Sequence, residues 1–461
     1  MIGTLNTKLS NKLLLLKNGN GFQSKVSKGA FWTFMGFGGS TFLRMLSSLI
    51  LTRIFMPEIF GLMAIITAIT IGIALFSDLG IATSIVQNPK GKDRDFLQTA
   101  WTLQVIRGFI LWLGIIAISA PAASLYSEPE LLYILPVVGL SFVITGFTST
   151  SLPLYQREMK VKPIVVLELI SQAFTLIFTV VLASIFESVW AFVISGLLAS
   201  LIKLLGSYIY LKSGVVGFKW DKEIGNELIH FGKWIFLATI LTFIVGKGDR
   251  LLLGGVISKS DLGLYNLSAL FSQIALGLLS ALISKTIMPA IASIAQSERK
   301  LLSQKFNKMR TYVLLTLLPV VITLAVLGEV VIKLLYEEAY HQAGWMLQVL
   351  SAGMVVRIMC MSISPIFLSK GDSYYHMLSY LYWSIIFILA MLVGFHFYGL
   401  NGVIIGISLA PLLWLPIISF LAKKYIDINH KFNLLILLIS GVIILSSWWF
   451  MGLNINNQAF L

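Results

Sequence analysis

The chain has 461 residues, 57% hydrophobic and 12% charged, with a mean hydropathy of +0.89. A soluble protein of this length needs far more polar surface, and a transmembrane β-barrel would alternate apolar and polar residues in segments of about ten. What remains is an all-α polytopic membrane protein, because helices satisfy their own backbone hydrogen bonds in lipid; the formal charge of +14 follows membrane topology and implies no nucleic-acid partner.

The first 28 residues carry Lys8, Lys12, Lys17, Lys25 and Lys28 around the run Leu13 to Leu16. That run is too short for the apolar region of a cleaved signal peptide, so 1–28 is expected to be a basic cytoplasmic arm. Apolar windows of about twenty residues then predict helices over 29–51, 60–86, 97–120, 131–152, 164–186, 188–211, 230–257, 263–290, 311–335, 345–369, 374–397, 400–421 and 433–453. They group as an N-terminal six-helix lobe (29–211), a cytoplasmic linker (212–229), a C-terminal six-helix lobe (230–421), and an additional helix with its tail (422–461).

The connecting segments alternate in charge. One side holds the N-terminal arm, Lys90/Lys92/Arg94, Arg157/Lys160/Lys162, Lys212/Lys219/Lys222, Arg299/Lys300/Lys305/Lys308/Arg310, Lys370 and Lys423/Lys424/Lys431. The other holds only Arg53 and Lys259, beside Glu58, Glu128, Glu130, Glu187, Asp261, Glu337 and Glu338. Basic residues in short loops stay in the cytoplasm, so the N-terminus is expected there.

The chain also resembles itself. A shift of 202 residues lays Trp32 on Trp234, Leu49-Ile50-Leu51 on Leu251-Leu252-Leu253, and "FGL" at 60–62 on "LGL" at 262–264. A shift of 210 lays "LY" at 125–126 on "LY" at 335–336, Lys160 on Lys370 and Gly196 on Gly406. Six helices repeat in the same orientation, which implies two pseudo-symmetric lobes related by an axis along the membrane normal.

Three stretches carry a family resemblance: "GAFWTFMGFGGSTFLRMLSSLILTRIFMPEIFGLMAIITAITIGIALFSDLGIATSIVQ", "GDRLLLGGVISKSDLGLYNLSALF" and "YGLNGVIIGISLA" at 398–410. They resemble Wzx-type polysaccharide transporters, flippases for lipid-linked oligosaccharides within the multidrug/oligosaccharidyl-lipid/polysaccharide exporter superfamily, nearest its colanic-acid-exporter-like branch. The resemblance covers about Gly29 to Leu421. It implies twelve or fourteen helices around a central cavity, alternating access, and export of polyprenyl-diphosphate-linked sugar units for surface polysaccharide or lipopolysaccharide biosynthesis, with a polysaccharide polymerase and chain-length machinery as partners. Thirteen segments depart from that pattern by one.

Charged residues at bilayer depth cost about 2.5–3.5 kcal/mol each on insertion scales, so they face a cavity or a partner. Arg44, Arg107, Lys247, Arg250 and Arg357 fall at such depths, and few acidic residues stand by to neutralise them. Lys247 and Arg250 share a helix face, while Asp249 projects about 100° away from Arg250. These five cations are the candidate binding residues for an anionic cargo, because a guanidinium grips a phosphate or carboxylate with two hydrogen bonds; structural ion pairs or snorkelling to an interface are the alternatives. Asp78 and Lys285 form a candidate gate pair, and Glu168 reads as interfacial. Glu329 and Lys333, spaced i, i+4, read as a surface pair.

No enzyme motif is present. His230, His341, His376, His396 and His430 show no metal-ligand spacing, "GKG" at 246–248 lacks the third glycine of a dinucleotide loop, and no nucleotide-binding loop occurs. Cys360 is the only cysteine and reads as a small buried residue. The sequence therefore predicts a transporter without a cofactor. A cation-coupled drug exporter of the same superfamily is the alternative, though a site for cationic drugs should lean acidic. A membrane polysaccharide polymerase would display a longer external loop, and a scaffold would not hold so many buried charges.

Overall fold

The computed structural model describes residues 22–76, 80–211, 217–283, 287, 291 and 298–450. The basic arm up to residue 21, Asp78 and Lys285 lie outside the described residues. In chain order the helices are α1 (Phe22–Leu51), α2 (Pro57–Phe76), α3 (Ile81–Gln87), α4 (Arg94–Leu125), α5 (Leu131–Gly146), α6 (Ser151–Arg157), α7 (Val161–Ala183), α8 (Trp190–Ile209), α9 (Lys222–Gly254), α10 (Lys259–Ser272), α11 (Ile274–Leu282), α12 (Arg299–Leu335), α13 (Ala343–Met361), α14 (Pro365–Ser369), α15 (Ser373–Ala422) and α16 (His430–Phe450). Among the described residues, ten helices are long and apolar enough to span a membrane, and the bent pair α5 and α6 makes an eleventh. Large apolar side chains such as Leu334, Phe420 and Trp449 are 82%, 76% and 85% exposed, as lipid-facing positions require.

Several predicted segments change form; those expected over 131–152 and 345–369 are each divided in two, as α5 with α6 and as α13 with α14. The helix expected over 60–86 is interrupted: α2 ends at Phe76 and α3 begins after Gly80, whose φ of 58° is left-handed. The helix expected over 311–335 begins at Arg299 instead, so five basic residues assigned to a loop ride on α12. The predicted division between 374–397 and 400–421 does occur, inside α15, where Gly399 takes φ 55°, ψ −137°. Only glycine adopts that conformation readily. It folds α15 into an antiparallel hairpin whose limbs touch at Gly394 and Gly402, and whose Trp383 and Trp414 rings stack 4.9 Å apart.

The chain divides into two compact units, residues 1–50 with 70–239, and residues 51–69 with 240–461. In the first unit, α4 packs along α5, and the break between α5 and α6 bends the chain by 58°. Carbonyls freed by a break at membrane depth need donors. The Gln104 amide supplies them, donating to Thr145 O at 3.2 Å, Gly146 O at 3.0 Å and Thr148 O at 3.2 Å, while the Tyr208 hydroxyl donates to Phe147 O at 2.7 Å. Nearby, Arg157 Nη1 donates to Ile85 O at 2.8 Å and Asn88 O at 2.5 Å, placing a cation on the carboxyl end of α3.

The second unit is built around α13, which buries side chains on all sides against α12, α10 and α15. Residues 51–69 belong here because the start of α2 crosses the start of α10 in backbone contact. A Cβ on Gly61 would lie 2.0 Å from Lys259 O, and one on Gly263 would lie 2.0 Å from Pro57 O. Adding 202 converts Pro57 to position 259 and Gly61 to position 263, so the two contacts are images of each other, as in an isologous two-fold interface. The sequence repeat is thus expressed as a reciprocal packing contact. The Tyr340 hydroxyl donates to Phe55 O at 2.5 Å and secures the same region.

At the start of α15, Asp372 accepts hydrogen bonds from the Tyr425 hydroxyl, from Tyr375 N at 3.1 Å and from Lys424 Nζ at 3.1 Å. The Tyr425 bond first, then the backbone and lysine donors, hold its carboxyl at about 2, below the ordinary 3.8.

Replacing Gly61 or Gly263 by alanine should destabilise the detergent-solubilised protein by similar amounts, about 1–3 kcal/mol each. Gly38→Ala, where no atom lies within 4 Å of a Cβ, should shift the thermal midpoint little. Because the folded pKa of Asp372 lies below its unfolded value, its carboxylate stabilises the protein above about pH 4 and ceases to do so as pH falls toward 2. Thermal unfolding of Asp372→Asn should therefore differ from wild type above pH 4, with the difference closing across that interval.

Candidate functional site

Three helices of the second unit bring charges together inside the bundle. α9 supplies Asp249 and Arg250, each 4% exposed. α10 supplies Tyr265, and α13 supplies the half-buried Arg357. The α9–α10 turn is fixed by Ser258, which caps α10: its hydroxyl accepts from Asp261 N at 3.1 Å and donates to the Asp261 carboxylate at 2.7 Å. That turn folds α10 back so that Tyr265 faces Asp249.

Arg250 Nη1 donates to both Asp249 oxygens, at 2.8 and 2.7 Å, and the Tyr265 hydroxyl donates to Oδ2 at 2.6 Å. The Arg250 guanidinium lies 5.8 Å from the centre of the Tyr265 ring, and Arg357 lies 5.3 Å from that of Trp383 on α15. The buried Nε of Arg357 has no hydrogen-bond partner. One carboxylate and two guanidiniums leave the cluster one positive charge in excess. Beside it opens a cavity of about 30 Å³, lined by Asp249, Arg250, Tyr265, Gln273, Arg357 and Phe387 with smaller neighbours. It has room for roughly one or two waters.

The pairing corrects an expectation. Successive Cβ atoms on a helix do diverge by about 100°, but arginine's long stem carries its guanidinium back to the neighbouring carboxylate. Low dielectric makes that contact far stronger than in water. Arg250 is therefore neutralised locally, and within this cluster the cation left unmatched is Arg357.

The other predicted residues lie elsewhere. Lys247 is half-buried on α9 and has a partner. Arg44 is exposed on α1, its Nη2 3.4 Å from Thr41 Oγ1. Arg107, half-buried on α4, donates to Ala74 O at 2.8 Å, near the carboxyl end of α2. Arg44 and Arg107 both belong to the first unit. Glu168 is exposed on α7. Glu329 and Lys333 pair at 2.6 Å, and Cys360 is buried.

Sequence reasoning missed Tyr265, Trp383 and Arg310. A hairpin turn centred near residue 257 pairs positions that sum to about 514, and Asp249 with Tyr265 fits that register, so locating the turn would have found it. Arg310, assigned to a cytoplasmic loop, is 3% exposed. Its Nε donates to Ser362 Oγ at 2.8 Å, Nη1 to Asn433 Oδ1 at 2.7 Å and Nη2 to Met359 O at 3.2 Å, tying α16 to α12 and α13. Starting α12 at Arg299 puts Arg310 three turns into a helix, where loop reasoning no longer holds.

A family described as polysaccharide biosynthesis protein matches residues 50–344. The chain belongs to that family. It is 22% identical over 392 residues to the lipopolysaccharide biosynthesis protein WzxC of Escherichia coli K12, covering 85% of this chain and 79% of WzxC. It is 20% identical to the succinoglycan biosynthesis transport protein ExoT of Rhizobium meliloti, covering 86% and 78%. Among solved structures it resembles the lipid II flippase MurJ in an inward closed conformation, with a TM-score of 0.71, 15% identity, and coverage of 94% and 96%. An inward-facing MATE multidrug transporter matches with a TM-score of 0.64, 16% identity, and coverage of 83% and 94%. The chain is accordingly a multi-pass membrane protein of the polysaccharide biosynthesis family with a transporter fold.

Asp249→Ala should destabilise the protein by about 3–5 kcal/mol, because it strands a buried guanidinium, whereas Asp249→Ala with Arg250→Met should recover much of that loss. Thermal unfolding of the two single variants and the double variant measures the coupling.

Proposed function

We propose that the chain is a flippase that carries polyprenyl-diphosphate-linked oligosaccharide repeat units across the bacterial cytoplasmic membrane for surface polysaccharide biosynthesis. Its N-terminus and basic loops face the cytoplasm, where the charge asymmetry of the loops holds them. The family match and the MurJ-like fold support this reading, and the observation that carries it at the level of residues is the half-buried Arg357, whose buried Nε has no hydrogen-bond partner, beside a neutral Asp249–Arg250 pair. A pocket with one excess positive charge at membrane depth suits an anion and repels a cationic drug. That argues against the multidrug alternative despite the MATE-like fold.

In this reading the diphosphate enters among the basic side chains while the polyprenyl tail stays in lipid. Arg250 and Arg357, which line the cavity, meet the headgroup. Rocking between inward and outward states then releases the sugar outside, where a polysaccharide polymerase and its chain-length partners take it up. The cavity is small, about 30 Å³, and movement of its lining side chains makes room for a diphosphate.

Deletion of the gene should cause complete lipid-linked repeat units to accumulate on the cytoplasmic side, and unchanged intermediates with altered drug tolerance would sink the assignment. Arg357→Ala, at matched protein levels, should reduce surface polysaccharide at least about tenfold. Output at the wild-type level would remove Arg357 from the route.

A further inference from the structure

We infer that Asp249 is an internal counter-ion that occupies Arg250 in place of the cargo's diphosphate and yields when the diphosphate arrives. The inference rests on the reading that this pocket receives an anionic headgroup, and it adds what fills the seat beforehand. The geometry of the pair is that of a replaceable contact. A single nitrogen, Nη1, serves both carboxylate oxygens, whereas the strongest guanidinium–carboxylate pairs use two nitrogens in parallel. Among the described residues Arg250 Nη2 makes no hydrogen bond, and Nε reaches Asn266 Oδ1 only at 3.4 Å. The forked edge that a phosphate engages is left available.

The carboxylate, for its part, is not stranded by letting go. It keeps the Tyr265 hydroxyl at 2.6 Å and the Arg250 backbone N–H at 2.9 Å. A buried carboxylate that loses its only donor is prohibitive; one that retains two can exchange partners. Volume points the same way. The cavity is small and borders the carboxylate itself, so a turn of the Asp249 side chain toward Tyr265 enlarges the seat where the guanidiniums point. Charge completes the argument, since Arg357 nearby has a buried nitrogen without a partner, and an arriving diphosphate satisfies both arginines where one carboxylate satisfies only Arg250.

The test is binding of farnesyl diphosphate to the full-length protein in lipid nanodiscs. Asp249→Asn, which removes the competing charge but keeps the shape, should bind at least about fivefold more tightly than wild type. Tyr265→Phe, which leaves the released carboxylate one donor short, should bind at least about fivefold more weakly, and Arg357→Gln about tenfold more weakly. A merely structural role for Asp249 produces no gain of affinity. If Arg357→Gln weakens binding while Asp249→Asn binds no better than wild type, the counter-ion inference falls and the headgroup reading stands. If neither Arg357→Gln nor Arg250→Gln alters binding, the headgroup lies elsewhere and the underlying reading fails. Should Asp249→Asn not fold, Tyr265→Phe decides, and wild-type affinity in that variant overturns the inference. Glucuronate is titrated in parallel; a preference for it over farnesyl diphosphate would overturn the assignment to a diphosphate in favour of a sugar carboxylate.

Discussion

A charge held away from water must find its complement within the protein, and that constraint shapes the second unit. Arg250 meets it with the carboxylate one residue before it, Arg310 with a ring of neutral acceptors, and Arg357 only in part. The three solutions have different consequences. A charge neutralised by hydrogen-bonded carbonyls and amides fixes helices to one another and has no reason to exchange. A charge facing a single adjacent carboxylate can trade that partner for another anion. A charge left partly unbonded beside a cavity is costly unless something else completes it, and in a transporter the cargo can be that something.

The same rule governs the backbone. Helices in lipid satisfy themselves, and wherever this chain interrupts one, side chains step in. Gln104 and Tyr208 serve the α5–α6 break, and Arg157 serves the end of α3. Some of these groups sit among loop charges that the positive-inside rule treats as solvated. Topological charge and structural charge are therefore overlapping sets, and a loop arginine can be both.

Much of the fold was legible because apolar length is a robust signal. Every predicted helix has a helical counterpart, and the boundary at residues 397–400 fell on a turn that only Gly399 permits. What failed was continuity. The break near Gly80 and the early start of α12 leave no mark on a hydropathy window, since a window averages over the residue that breaks a helix and stops at the first cluster of lysines. At the site, burial of Arg250 and Arg357 was legible as charge inside apolar runs. Their partners were not, because the Asp249 contact depends on how an arginine stem folds back and the Tyr265 contact depends on hairpin register, neither of which a helical wheel contains.

The internal repeat separates scaffold from chemistry. The Gly61 and Gly263 crossing is shared by both halves, each glycine admitting the other half's carbonyl, so the packing that holds the halves' second helices together is duplicated. The charges are not. At the shift of 202 residues, Asp249 and Arg250 fall on Ser47 and Ser48, and Tyr265 falls on Met63; at the shift of 210, Arg357 falls on Phe147. A symmetric fold does not require symmetric function, since function resides in particular side chains placed on it. The carboxylate–guanidinium cluster therefore has no counterpart at the matching positions of the first half, and whatever binds there meets side chains that the repeat does not duplicate.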